Sequence, residues 1–135
     1  MSELLDLLTG AQDATIALLR AQLPEAQRGM ARHSLDEDAK PPFHLVGDVD
    51  VEPAGGKGEQ ADKVTVDLHT VYKGTDRGEL LALMHQVRLA TDDKQLTVEG
   101  GTYRFEWLGA VASTAASDGV TYAGITQLEI LAEPA

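Results

Sequence analysis

Cysteine is absent from this 135-residue chain, which removes disulfides, thiolate nucleophiles, Cys-ligated zinc and iron–sulfur clusters together. Such a composition fits a reducing cytoplasm. Aromatic residues are scarce, at 4% against 43% hydrophobic residues overall, so Leu, Val, Ile and Ala must fill an aliphatic core. Long hydrophobic runs are missing as well, and nothing approaches the ~18 consecutive apolar residues of a membrane span. Leu4, Leu5, Leu7 and Leu8 cluster near the start. Glu3 and Asp6 interrupt them and no basic segment precedes them, so a secretory signal is not expected. The chain is expected to be soluble, with no membrane partner. Positive charge is also in short supply, with 11 Lys and Arg against 22 Asp and Glu and a net charge of −11. That balance argues against a nucleic-acid reader, which needs clustered Lys and Arg on the phosphate backbone. Surplus carboxylates keep a protein in solution; they would also repel DNA passing close by.

Catalytic constellations are equally thin. Ser34, Ser113 and Ser117 sit in no nucleophile elbow. Gly55, Gly56, Lys57 and Gly58 lack the spacing of a phosphate loop and lead into a strand rather than a helix. The histidines His33, His44, His69 and His85 show no metal-ligand spacing. A small metal-dependent hydrolase using His44 and His69 with Asp48, Asp50 or Asp67 is therefore the competing enzymatic reading, and a monomeric ligand-binding domain a third. Asp36, Glu37 and Asp38 are adjacent in a polar stretch without the apolar surroundings that shift a carboxyl pKa. Tyr103, Phe105 and Trp107 alternate at strand spacing and are expected in the core rather than stacking bases. No cofactor is expected.

Periodicity orders what is present. Leu5, Leu8, Gln12, Ile16, Leu19 and Leu23 recur at helical spacing, with Ser2 available as a cap and Pro24 disfavouring helix at Leu23. Gly10 weakens this helix by roughly 1 kcal/mol relative to Ala and makes a break conceivable. From Pro24 to Pro42 the rhythm disappears, and a polar connection is expected, with room for a short helical turn between Glu25 and Leu35. Phe43, Leu45, Val46, Val49 and Val51 read as a strand; Pro53 to Asp62 is a Gly-rich turn. Val64, Val66, Leu68, Thr70 and Tyr72 then alternate with largely polar neighbours, and the two runs should pair as an antiparallel hairpin.

Thr75 or Asp76 can cap a helix whose stripe is Leu80, Leu83, Met84, Val87 and Ala90. Leu96 and Val98 form a short extended piece, Tyr103 to Leu108 a strand, Ser113 to Gly119 a loop and Val120 to Leu131 a last strand. The expectation is one α+β domain over residues 1–135: an antiparallel or mixed four-stranded sheet with helices packed on one face, in the order α-β-β-α-β-β.

That order, with particular residues, resembles the phage tail-terminator or tail-completion family, which is also found in gene transfer agents. The likeness is carried by Pro42-Phe43-His44-Leu45-Val46-Gly47, by Val64 to Tyr72, and by the helix with Leu80 and Val87. Leu96-Thr97-Val98-Glu99-Gly100-Gly101 and the final strand Val120 to Leu131 complete it. The acidic segment Glu25 to Lys40 and the 53–62 loop depart from the family pattern. What the resemblance implies is a structural virion protein with no catalytic residues, forming a ring of six copies on the head-proximal end of a tail tube. Its partners would be further copies of itself, the tail tube protein and a head-side connector or stopper, with DNA passing through the lumen unbound. A head-side neck protein, stopper or adaptor, is the neighbouring alternative. Asp36, Glu37, Asp38, Lys40, Glu52, Lys57 and Glu59 are the candidate interface or lumen residues.

Overall fold

A computed structural model describes residues 5–34, 39–56 and 58–135. Helix α1 spans Leu7–Gln22. Ser2 lies outside the described residues; the N-cap is Asp6, whose carboxylate accepts from the Thr9 amide at 2.9 Å and is held below the usual carboxylate range by that bond. Leu23 leaves the helix with extended backbone, φ −68° and ψ 154°, as the following proline requires. A 3₁₀ turn occupies Glu25–Met30, followed by a two-residue strand β1 at Ala31–Arg32. Then come β2 at Phe43–Pro53, β3 at Asp62–Lys73, α2 at Arg77–Thr91, β4 at Lys94–Val98, β5 at Gly101–Ala112 and β6 at Thr121–Pro134. The Asp76 carboxylate caps α2 through the Gly78 amide at 2.8 Å.

One sheet holds every strand in the order β1-β2-β3-β6-β5-β4. The expected four-stranded sheet is therefore wrong: among the described residues the sheet has six strands, and the helical segments number three rather than two. Both additions escaped periodicity for a physical reason. β1 has only two residues and pairs in parallel with His44 and Leu45, too short to show a period. Leu96 and Val98 belong to β4, which becomes a strand by pairing with Gly101–Phe105 across the turn at Glu99 and Gly100. Both turn residues have positive φ, 47° and 81°, as a type I′ hairpin demands and glycine tolerates best.

The two α-helices pack over one face of the sheet. Val64, Val66 and Leu68 of β3, Ile130 and Ala132 of β6, and Tyr103 and Phe105 of β5 meet Leu7, Ala11, Ala14, Leu18 and Leu19 of α1 and Val87 and Ala90 of α2. The core is aliphatic, as composition requires. The α1 stripe is rotated from the expected one: Leu7 is 1% exposed and Leu8 is 44% exposed. The small side chains Ala11, Ala14 and Thr15, all fully buried, let the helix lie close to the strands on that side.

Gly10 does not break α1. A Cβ there would collide with the Tyr103 hydroxyl, so the glycine makes the notch that receives the largest fully buried side chain. A second tether fixes the start of the helix: the Gln60 side-chain amide donates to the Leu5 carbonyl at 2.7 Å and accepts from the Leu5 amide at 3.1 Å. Replacing Gly10 by Ala should gain roughly 1 kcal/mol of helix propensity and lose more to overpacking, typically 1–3 kcal/mol. The expected outcome in urea melts is net destabilisation, smaller when Gly10→Ala is made together with Tyr103→Phe. Stabilisation by Gly10→Ala alone would contradict the notch.

Candidate functional site

Strand pairing sorts the candidate residues. His44 lies opposite Thr70 on β3, and Leu45 lies opposite His69, so His44 and His69 point to opposite faces of the sheet. They cannot share an ion. Among the described residues no group of three or more His, Asp or Glu is placed to hold a metal, and the hydrolase reading loses its site. His44 is fully buried on the helix face, with Nδ1 2.8 Å from Thr70 Oγ1. Burial alone pushes its pKa down to about 4. It is a neutral core histidine.

Asp36, Glu37, Asp38 and Lys57 lie outside the described residues. Lys40, Glu52 and Glu59 are exposed, but they do not converge. Lys40 precedes the start of β2, whereas Glu52 stands at its far end and Glu59 in the following hairpin. Glu52 reaches Lys63 at 3.5 Å, and Lys63 also reaches Glu129 at 3.7 Å. At these exposures such pairs contribute little to stability.

What the fold does assemble is a pair of open sheet edges. β1 covers β2 only at His44 and Leu45, so among the described residues the outer side of Val49–Pro53 has no partner strand. At the other margin, β4 covers β5 only as far as Phe105; among the described residues Glu106–Ala112 has no partner strand on its outer side, where the Trp107 amide donates to the Asp92 carboxylate at 3.2 Å. Each strand is bulged, between Val46 and Val49 in β2 and between Trp107 and Gly109 in β5. The bulges lie at the same height, because Val66 and Leu68 opposite the first pair with Leu128 and Thr126 beside the second. Bulges increase local twist and bend a strand, and two at one level curl the sheet.

A groove of about 200 Å³ runs between α2 and the open part of β5, lined by Leu81, Met84, His85, Arg88, Trp107, Ala110 and Ala112. Arg88 lies over the Trp107 ring at 4.0 Å from its centroid, a cation–π contact. Arg77 donates to the Ala112 carbonyl at 3.1 Å. Neither guanidinium has a carboxylate partner, since the ion pairs among the described residues are those of Lys63. The Trp107 indole Nε1 is buried without a hydrogen-bond partner among the described residues. Leu81 is 49% exposed beside the groove. Sequence reasoning missed this surface, although one signal was there: Arg77, Leu81 and His85 recur every four residues outside the α2 core stripe.

No protein-family model matches the chain, and no curated protein matches it. Its fold, a six-stranded sheet with two α-helices on one face, is that of a structural relative. A chain from the virion of a native gene transfer agent (GTA) particle superposes with a TM-score of 0.79, covering 93% of this chain and 97% of that one at 16% identity. At that identity the likeness establishes a shared fold.

The buried imidazole makes stability depend on pH. The folded pKa of about 4 lies below the ordinary 6.5, so between these values the unfolded chain takes up a proton that the folded one refuses. Stabilisation is full above about 6.5, falls as pH drops through this window and is lost by about 4, roughly 3 kcal/mol in all. Asp118, held down to about 2 by Thr121 and the Val120 amide, acts only at lower pH. Urea midpoints measured from pH 7 to 4 should decline in the native chain and flatten in His44→Gln; equal slopes would contradict the assignment.

Proposed function

We propose that this chain is a structural, non-enzymatic virion protein. It forms a hexameric ring capping the head-proximal end of a phage-like tail tube, where it ends tube polymerisation and offers the head-side connector a docking face. The observation that carries this reading is the fold shared over nearly the whole of both chains with a component of a gene transfer agent virion. The family-like run from Pro42 to the last strand supports the same assignment from the sequence side. The sheet's two open margins differ from one another, and a closed ring needs such unlike surfaces on each subunit.

The protein is made in the bacterial cytoplasm and resides at the head–tail junction. Its partners are further copies of itself, the tail tube protein and the connector. The net charge of −11 suits a lumen through which DNA slides without sticking. Lys40 precedes β2, while Glu52 stands at its other end and Glu59 in the hairpin beyond. Lys40 on one side and Glu52 and Glu59 on the other are therefore assigned to opposite rims of the ring, one toward the tube and one toward the head.

Cryo-microscopy of particles from the producing cells tests this directly. Density for the chain is expected as one ring between tube and connector, and cells lacking the gene should accumulate headless tubes of uncontrolled length. Location on the head side of the connector, or normal tube lengths without the gene, would overturn the assignment.

A further inference from the structure

Resting on the ring reading, we propose that neighbouring subunits join by antiparallel strand addition, the open edge of β2 at Val49–Pro53 of one copy pairing with the open edge of β5 at Glu106–Ala112 of the next. The occupant of the α2–β5 groove is then a second copy of this chain.

Strand sense permits the join. β2, β3, β6 and β5 are successively antiparallel, so β2 and β5 run in opposite directions. Copies repeated around a ring with their sheets facing the same way bring β2 beside β5 antiparallel, the more stable pairing. Side-chain facing agrees. Val51 lies opposite the buried Val64, and Ala110 and Ala112 lie opposite the buried Thr126 and Gly124. All three therefore point to the helix side. Val51 is 42% exposed in the isolated chain, and in the joined sheet it drops against Trp107, Ala110 and Leu81 in the groove.

The ends also fit. With Val51 beside Ala110, Pro53 reaches the β5 bulge at Leu108, short of Phe105 where Lys94 of β4 begins its pairing. β1, which covers only His44 and Leu45, is left beyond the end of β5. Asp50 and Glu52 alternate with Val51 and so point to the face away from the helices, where they stay clear of the groove.

The open segments are not level. Within one subunit Ala110 is level with Val46, through Thr126 and Leu68, so joining it to Val51 staggers each copy by about five residues. Five residues of rise against four strand spacings tilts the strands about 40° from the ring axis, within the range at which sheets close on themselves.

Absence of native cysteine makes the test clean. Val51 is combined with Ala110 or with Ala112 in two double variants, V51C/A110C and V51C/A112C, since directly opposed side chains across a strand pair are close enough for a disulfide. Each variant is oxidised at up to about 1 mM protein, where even a millimolar association is half populated. Circular dichroism first confirms that each is folded, the expected result because Val51 and Ala110 are exposed and Ala112 is half-buried. At least one double variant should give a ladder of covalent multimers ending at a closed ring, while the single variants stay monomeric. Emission from Trp107, the sole tryptophan, should shift to shorter wavelength as multimers form. Dimers from V51C or A110C alone would mean a two-fold contact and overturn the proposal. So would the absence of cross-links in both double variants. If light scattering still shows rings in that case, the cap survives and this seam fails; if the particle lacks the chain at the tube end, the cap itself fails.

Discussion

The ladder between β3 and β6 is the constraint on which the rest of the structure depends. Each residue from Asp62 to Lys73 has a partner on β6, from Ala132 to Thr121, without a bulge. Because side chains alternate, this register places Val64, Val66, Leu68, Leu128, Ile130 and Ala132 on one face, where all are fully buried. A slip of one residue would turn that set to solvent. The helices have somewhere to pack only because this central pair holds one face uniformly apolar. β2 and β5 then extend the sheet on either side, and both carry the irregularities that the central pair lacks.

Those outer strands give the molecule its unfinished character. Proteins commonly shorten, charge, bulge or cover a sheet edge to prevent pairing with another chain. Here β1 covers only His44 and Leu45 of β2, and β4 covers Gly101–Phe105 of β5, at opposite ends of the sheet. The uncovered stretches bear acidic side chains on one margin and an apolar groove flanked by arginines on the other. The opposite face of the sheet is divided in a similar way. Leu45, His69, Ile125 and Val111 form one row across four strands, with Val111 74% exposed, whereas Glu52, Lys63 and Glu129 gather at the other end. The margins and the two ends of the open face thus differ in chemistry within one small sheet.

Much of the fold was legible in the sequence because it is encoded over short windows. Alternation marked β3 and β6, Pro24 marked the end of α1, Asp76 rather than Thr75 capped α2, and of the expected α2 stripe Leu80, Met84, Val87 and Ala90 are buried while Leu83 is half-buried. The misses have equally local causes. A two-residue strand has no period, and β4 became a strand only through its hairpin partner. The α1 stripe rotated because Ala11 and Ala14, weak signals in a hydrophobicity pattern, permit the closest approach. The candidate site was less legible still. Lys40, Glu52 and Glu59 were chosen for charge and loop position, yet the open edges and the groove at Trp107 consist of backbone and ordinary side chains that no motif marks.

By itself the sequence determined an aliphatic core, the absence of thiol chemistry, an acidic surface and the location of the main helices and strands, since each follows from residue type or from spacing along a few turns. Tertiary structure alone decided which strands pair and in what register. That register separates His44 from His69 by placing them on opposite faces, and it leaves Val49–Pro53 and Glu106–Ala112 without a partner strand at the two margins among the described residues. Those outcomes depend on backbone groups brought together from distant parts of the chain, whose hydrogen bonding is the same for every residue type and therefore leaves no local trace in the sequence.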